Sequence, residues 1–246
     1  MTAEFSGKVI KINGITPVKD VSFLKRFFLF FLCALMLCLP VRADSGQPLV
    51  ALTFDDGPSG RFTRRLLEGL ETRHAPATFL LCGYRIADYP ALTKQILDAG
   101  HEIGLHGYSH TSMKEMPRQQ IQKELADTLA LLPQNCPIQF LRPPGGQCTG
   151  ATRAAARQMG FWLLNWSVDP RDWNTEDAAL IARRVISQTR DGDVILLHDM
   201  SDSSVDAALA IVDALQAKGF RFVTVSQLAQ AKGVHPLPGQ LYCRFD

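Results

Sequence analysis

The sequence lacks the features of three large functional classes. Its formal net charge is only +2 over 246 residues, and residues 1–43 alone carry six basic and two acidic side chains. The remainder is therefore slightly acidic and offers no basic surface for nucleic acid. The apolar run at residues 27–39 has 13 residues, whereas a membrane-spanning helix needs about 20. The six cysteines lack zinc-site spacing. No fixed-period repeat or low-complexity linker divides the chain, so we expect one domain.

The first 43 residues have the organisation of an export signal. Lys25 and Arg26 precede the apolar run, and Ala43 closes a small-residue cleavage site. We therefore expect a signal peptide over residues 1–43, a mature domain over residues 44–246, and an extracellular or cell-wall location. The region before the apolar run is long for such a signal, and a translation start near Val21 is the alternative. Membrane attachment is expected only if the leader is retained as an anchor.

Cleavage of this leader would leave four cysteines, namely Cys82, Cys136, Cys148 and Cys243. An even number in an exported domain permits disulfides, with three possible connectivities. Because Cys136 and Cys148 bracket one short segment, they are the first pair that we predict. Four buried free thiols are the alternative.

Apolar runs alternate with segments of helical periodicity along the mature chain. The strands are predicted at residues 49–54, 77–81, 102–105, 139–142, 162–166, 194–197 and 220–223. The helices are predicted at residues 62–72, 90–99, 118–132, 151–159, 176–188 and 204–218. Gly100, Gly160 and Gly219 follow helical segments, as C-terminal caps do. Seven β-α units predict a parallel sheet, either closed as a barrel or open and doubly wound, and the tail from Gly233 is predicted to be irregular.

The polar motifs follow predicted strands. Asp55 and Asp56 come after the first strand, His106 after the third, Arg142 after the fourth and His198 after the sixth. Active sites of β/α barrels form from the loops at the C-terminal ends of their strands. We therefore expect these side chains to converge.

The adjacent carboxylates of Asp55 and Asp56 repel each other and resist burial unless a positive group lies beside them. His106 and His110 offer imidazole nitrogens, and two histidines with one carboxylate form a metal site that keeps positions open for catalysis. One carboxylate would bind the metal and the other would transfer protons. His74, His101 and His235 lack such company and are interpreted as structural.

Three further segments contain candidate catalytic groups. Arg142 is followed by Pro-Pro-Gly-Gly, so it can orient a carboxylate while the glycines expose N–H groups to an oxyanion; alone, the segment would be a surface turn. Asp169 and Asp172 are two acids, and a carboxylate that accepts a hydrogen bond from a histidine favours its charged form. Trp173 would form a wall of a sugar-sized pocket or simply belong to the core. His198, at the mouth of a buried strand, is a candidate general acid.

Together these five segments resemble the NodB-homology polysaccharide deacetylases, which form carbohydrate esterase family 4. The segments are Thr-Phe-Asp-Asp-Gly-Pro at 53–58, His-Gly-Tyr-Ser-His at 106–110, Arg-Pro-Pro-Gly-Gly at 142–146, Asp-Pro-Arg-Asp-Trp at 169–173 and Leu-Leu-His-Asp at 196–199. The resemblance covers roughly residues 48 to 228. It implies an α/β fold, specifically a distorted (β/α)7 barrel with a single catalytic domain.

The resemblance also implies roles for ten residues. Asp56, His106 and His110 would bind one divalent metal ion, usually Zn2+, with Co2+, Mn2+ or Ni2+ as alternatives. Asp55 would be the general base, held in place by Arg142. His198 would be the general acid, and Asp172 would tune its acidity. The substrate-binding groups would be Gly145, Trp173 and Leu196.

Two positions depart from the family pattern. Gly145 stands where a bulky aromatic is common, which keeps the oxyanion-binding N–H but removes side-chain contacts to sugar. Gly107 stands where Ser or Thr is common, which affects local loop hydrogen bonding.

The expected activity is metal-dependent removal of N-acetyl groups from N-acetylglucosamine-type residues of a cell-envelope polysaccharide, with peptidoglycan first. Chitooligosaccharide N-deacetylation and xylan O-acetyl ester hydrolysis are the alternatives within the superfamily. From another class, a catalytically inactive glycan-binding module that keeps its metal is the competing interpretation. We expect a monomer whose partner is the N-acetylated polysaccharide, with no nucleic acid.

Overall fold

A parallel sheet organises residues 46–246, which are the residues that the computed structural model describes. Its strands are β1 (Leu49–Asp55), β2 (Thr78–Leu81), β3 (Glu102–Leu105), β4 (Phe140–Leu141), β5 (Trp162–Leu164), β6 (Val194–His198), β7 (Arg221–Phe222) and β8 (Leu241–Tyr242). The predicted signal peptide lies outside the described residues. Within residues 46–246, no helix is both long enough and apolar enough to cross a bilayer.

The sheet curls into a distorted barrel. Its strand order is β6-β1-β2-β3-β4-β5-β8, with β7 paired to the start of β1. Beyond β5 the chain returns to β6, where the Leu196 N–H donates to the Val168 carbonyl over 2.9 Å. The expected (β/α)7 architecture in a single domain is confirmed.

Helices connect the strands on the outside of the sheet. They are α1 (Arg61–Thr72), α2 (Gly83–Asp88), α3 (Pro90–Asp98), α4 (Arg118–Leu129), α5 (Gly150–Met159), α6 (Ala178–Gln188), α7 (Asp202–Ala217) and α8 (Val225–Ala231). Gly160 ends α5 with a φ of 82°, the left-handed conformation that glycine adopts without steric cost. Each of the six predicted helices overlaps an observed one.

Three short elements were not predicted. The helices α2 and α8 have six and seven residues, too few for a clear helical period. The tail beyond Gly233 is not wholly irregular, because β8 pairs with β5 through Leu163 with Leu241 and Leu164 with Tyr242. No local pattern shows that the tail passes beside β5, and this pairing defines β8.

Alternation along β1 separates two cores and aims one side chain at the mouth of the barrel. Leu52 and Phe54 belong to the cluster that packs under the helices. Leu49 and Ala51 belong to the cluster that fills the barrel interior. Because side chains alternate along a strand, Asp55 continues the interior row. It therefore ends β1 as a carboxylate directed into the open end of the barrel.

The four described cysteines are free, and the predicted Cys136–Cys148 pairing is wrong in this structure. Cys136 packs against the cluster that contains Leu52 and Phe54, whereas Cys148 packs against a separate cluster beneath α4 and α5. Nearness in sequence misled the prediction because the chain between these cysteines crosses the sheet as β4.

Candidate active site

The register of the sheet brings the polar motifs to one edge. Asp55 is aligned with His198 across β1 and β6, and Leu105 is aligned with Leu141 across β3 and β4. His106 and Arg142 therefore leave neighbouring strands at the same level. The loops beyond these strand ends surround a cleft of about 1020 Å³.

Three side chains in this cleft form a cluster suited to a metal ion. The Asp56 Oδ1 atom lies 3.0 Å from His110 Nε2 and 3.2 Å from His106 Nε2. One ligand atom from each residue lies within 4.8 Å of the others. The buried Asp56 Oδ1 has no hydrogen-bond donor in proper geometry. An oxygen and two imidazole nitrogens that converge without satisfying one another fit a bound cation.

The surroundings hold these groups in ligand form. His106 Nδ1 lies 2.7 Å from the carbonyl oxygen of Arg142. A carbonyl only accepts, so Nδ1 carries the hydrogen and Nε2 keeps its lone pair toward Asp56. Burial alone would raise the pKa of Asp56, but the neighbouring His106 and His110 outweigh it and hold that pKa well below its ordinary value. The donor set therefore has one anionic oxygen and a correctly oriented imidazole.

The backbone of the cluster is unusual at both ends. Asp56 and His110 have φ values of 72° and 59°, a left-handed region that costs a non-glycine residue about 1–2 kcal/mol. Such conformations occur where surrounding structure holds them for function. Gly107 has a φ of 79°, and a Cβ there would lie 3.1 Å from Met113 Cε. Glycine therefore suits this loop better than Ser or Thr.

Glu124 on α4 anchors the histidine loop, and sequence reasoning missed it. Its Oε2 atom accepts hydrogen bonds from the N–H groups of Tyr108 and Ser109, at 2.8 and 2.9 Å. A carboxylate that takes two adjacent backbone donors fixes the loop between His106 and His110. The residue sits in a helix rich in charged side chains, where no local pattern marks it out.

Asp55 has different partners from Asp56. The Arg142 guanidinium donates to Asp55 Oδ1 over 2.6 Å, to Thr53 Oγ1 over 2.9 Å and to the Asn165 carbonyl over 2.9 Å. Arg142 is fully buried, and its positive charge offsets the cost of burying the carboxylate. The second Asp55 oxygen, Oδ2, lies 3.7 Å from His106 Nε2. It thus lines the cleft beside the metal cluster, free of the arginine.

His198 and Asp172 form a second ionisable pair across the cleft. Asp172 Oδ1 lies 2.8 Å from His198 Nδ1, and its Oδ2 accepts from the His198 N–H over 2.8 Å. Burial lowers the pKa of His198, but the hydrogen bond to Asp172 and the charges of Asp172, Asp55 and Asp56 raise it to about 9. The imidazole is therefore a proton donor at neutral pH.

Ser204 is a further residue that sequence reasoning missed. It lies in the first turn of α7 and donates from Oγ to Asp172 Oδ2 over 2.8 Å. The N-terminal end of a helix also favours a nearby negative charge. Ser204 therefore helps to orient Asp172, but its position in a serine-rich cap gives no sequence signal for this role.

The structure places the predicted substrate-binding residues around the same cleft. Gly145, Trp173 and Leu196 all line it. A Cβ at Gly145 would meet nothing within 4 Å, so the rim of the cleft is open at this position. Trp173 is 66% exposed and Leu196 is 3% exposed. Trp166, which was not predicted, also lines the cleft, with its ring 5.5 Å from Arg142 Cζ. Of the ten predicted site residues, only Arg142 lies behind the cleft wall, in contact with Asp55.

Known proteins are similar to this chain. The model of the family described as polysaccharide deacetylase matches residues 42–164, which confirms the resemblance drawn from the five motifs. A peptidoglycan-N-acetylglucosamine deacetylase from Bacillus cereus is 36% identical over 76% of this chain and 91% of its own length. The peptidoglycan-N-acetylmuramic acid deacetylase PdaC from Bacillus subtilis is 35% identical, but the match spans only 40% of its length.

Solved structures agree with these matches. The structure of PdaC has a TM-score of 0.73 at 35% identity, covering 77% of this chain and 94% of that chain. A family 4 acetyl xylan esterase from Clostridium thermocellum, solved with a cobalt ion, has a TM-score of 0.74 at 33% identity. That match covers 80% of this chain and 98% of the esterase.

Proposed function

Because this chain belongs to the polysaccharide deacetylase family, we propose that it removes N-acetyl groups from N-acetylglucosamine residues of peptidoglycan. One observation carries the proposal: two adjacent carboxylates have separate partners in one cleft. Asp55 is paired with Arg142, and Asp56 lies beside His106 and His110. Support for the substrate comes from the Bacillus cereus relative at 36% identity, a peptidoglycan-N-acetylglucosamine deacetylase matched over 91% of its length. The proposed place of action is the cell wall, after export.

Asp56, His106 and His110 would hold one divalent metal ion, which we propose to be zinc. The unpartnered Asp56 oxygen and the His106 tautomer fit that ion. Such an ion supplies Lewis acidity and lowers the pKa of bound water. Co2+, Mn2+ and Ni2+ suit the same nitrogen and oxygen ligands, and one structural relative was solved with cobalt.

The residues of the chain then divide the proton transfers. Asp55, oriented by Arg142, takes a proton from the attacking water as the water oxygen bonds to the acetyl carbon. The Gly145 N–H donates to the carbonyl oxygen as negative charge develops there. His198 delivers its proton to the amide nitrogen as the C–N bond breaks. The products are acetate and a free amine on the sugar, and Leu196 and Trp173 border the acetyl group.

The roles of His198 and Asp172 predict the alkaline limb of the pH profile. Since the pKa of His198 is raised to about 9, kcat/KM should fall as pH rises through about 9, when the acid loses its proton. Asp172→Asn removes the largest raising influences, while burial and the charges of Asp55 and Asp56 remain, so that limb should move to lower pH. Acetate release measured between pH 5 and 10 checks this prediction. An unchanged alkaline limb in the variant would assign the proton donor elsewhere.

Substrate identity is tested by acetate release from three polymers: purified peptidoglycan, chitooligosaccharides and acetylated xylan. We expect the largest kcat/KM on peptidoglycan, loss of activity after chelation and recovery with zinc. A preference for acetylated xylan would favour the esterase alternative. Absence of acetate from all three, with metal bound, would favour an inactive glycan-binding module. That last outcome is not expected, because the candidate base, acid and metal ligands share one cleft.

A further inference from the structure

The C-terminal tail follows α5 along the outside of the barrel. The Gly239 N–H donates to the Phe161 carbonyl over 2.8 Å. A Cβ at Gly239 would lie 2.8 Å from the Arg153 carbonyl and 2.9 Å from Arg157 Cβ. The tail therefore crosses the middle of α5 with its backbone in close contact, and β8 begins immediately afterwards.

The tail and α5 place Cys243 and Cys148 at the same height along the direction of the strands. The helix α5 links the parallel strands β4 and β5 and so runs opposite to them, whereas β8 runs parallel to β5. From Gly239, four residues of extended chain advance about 13 Å to Cys243. Arg153 and Arg157 lie in α5, and Cys148 precedes that helix. Going back along the chain from these arginines to Cys148 therefore covers on the order of 10 Å in the direction in which β8 runs.

Both cysteines lie on the same face of the sheet. Leu241 packs against the cluster that also contacts Cys148, whereas Tyr242 packs against the barrel interior. Because side chains alternate along a strand, Cys243 shares the face of Leu241. Both cysteine side chains are half-buried.

Asn165 joins the two segments. Its backbone N–H donates to the Tyr242 carbonyl over 2.8 Å, and its Nδ2 donates to the Gly146 carbonyl over 2.9 Å. These acceptors lie one residue before Cys243 and two residues before Cys148. The electrostatics agree with this proximity: burial raises the pKa of Cys148 to about 11, and Cys243 contributes to the rise.

We propose that Cys148 and Cys243 form a disulfide when the protein meets a disulfide-type oxidant. The two thiols lose their protons and two electrons, an Sγ–Sγ bond forms, and the disulfide of the oxidant is reduced to two thiols. The bond fastens the last strand of the sheet to the loop that carries Gly145. Cys82 and Cys136 stay reduced, since Cys82 is fully buried beside the His106 carbonyl and Cys136 belongs to a different cluster.

Disulfide mapping tests the pairing. The folded chain is incubated with oxidised glutathione, its remaining thiols are alkylated, and it is digested without reductant for mass spectrometry. We expect one cross-linked peptide pair containing Cys148 and Cys243, with Cys82 and Cys136 alkylated. The pair should persist in Cys136→Ser and disappear in Cys148→Ser. Alkylated Cys148 and Cys243, or a link from either to Cys82 or Cys136, would overturn the proposal.

Thermal unfolding tests whether the disulfide stabilises the folded chain. Closing a loop of nearly a hundred residues restricts the unfolded chain, so the oxidised protein should unfold about 10 °C above the reduced one. Cys136→Ser should retain the difference, and Cys243→Ser should abolish it. An equal Tm for the oxidised and reduced forms of the natural chain would contradict the fastening of the tail. Neither readout depends on the proposed deacetylase activity.

Discussion

Replacing Asp55 by Asn should lower kcat for acetate release by about 10²–10⁴-fold, the range in which general acid–base groups contribute. The amide is close in shape to the carboxylate and still accepts from the Arg142 guanidinium, which lies 2.6 Å from Asp55 Oδ1. It cannot take a proton from water. The loss should therefore fall on kcat, while KM changes little because Asp55 is not proposed to bind the sugar.

Steady-state kinetics on peptidoglycan, measured well below the Tm of each variant, checks this prediction. Glu176→Gln is the matched control, since Glu176 is an exposed carboxylate that lines the same cleft. It should retain kcat within about tenfold, as expected for a group outside the proton transfers. An Asp55→Asn variant with the kcat of the natural chain would remove Asp55 from the role of base.

Replacing Arg142 by Met should destabilise the metal-free protein by about 3–5 kcal/mol, as breaking a buried ion pair does. Arg142 is fully buried and donates to Asp55, Thr53 and Asn165. The variant leaves the Asp55 carboxylate buried without its counter-ion. It also leaves that carboxylate without the group that orients it, so activity should fall as well.

The coupling between Arg142 and Asp55 is measured from the free energies of urea unfolding of four proteins. They are the natural chain, Arg142→Met, Asp55→Asn and the double variant. The double variant should lose less free energy of unfolding than the two single losses combined, because no buried charge is then left alone. Lys94→Met is the control, since its ion pair with Asp98 is exposed at both ends; it should cost less than about 1 kcal/mol. Strict additivity of the Arg142 and Asp55 losses would contradict the pairing.

Much of the fold follows from local sequence patterns. Buried strands such as β1 and β6 are apolar runs, and the helices between strands have helical periodicity and end near glycines such as Gly160. These signals are strong because burial selects apolar residues at fixed spacing. The strand β8 escapes prediction, because its pairing with β5 depends on where the tail passes in three dimensions.

Some residues of the site are likewise predictable from the sequence, and others are not. Asp55, His106 and His198 are predictable, since each polar residue follows an apolar strand and parallel strands end at one edge. Glu124 and Ser204 are not, because each reaches the site from a helix whose own pattern serves packing or capping. The left-handed backbone at Asp56 and His110 is not predictable either, because most residues of these types have negative φ and no local pattern marks these two.

The central claim is that neighbouring carboxylates serve different partners, and metal stoichiometry in paired variants tests it most directly. Metal-free Asp55→Asn and Asp56→Asn are each titrated with Zn2+, and acetate release from peptidoglycan is measured on the same samples. Asp55→Asn should bind about one zinc per chain, as the natural cluster would, and release almost no acetate. Asp56→Asn should bind zinc far more weakly and also be inactive. Loss of zinc from Asp55→Asn, or full zinc binding by Asp56→Asn, would contradict this division of roles.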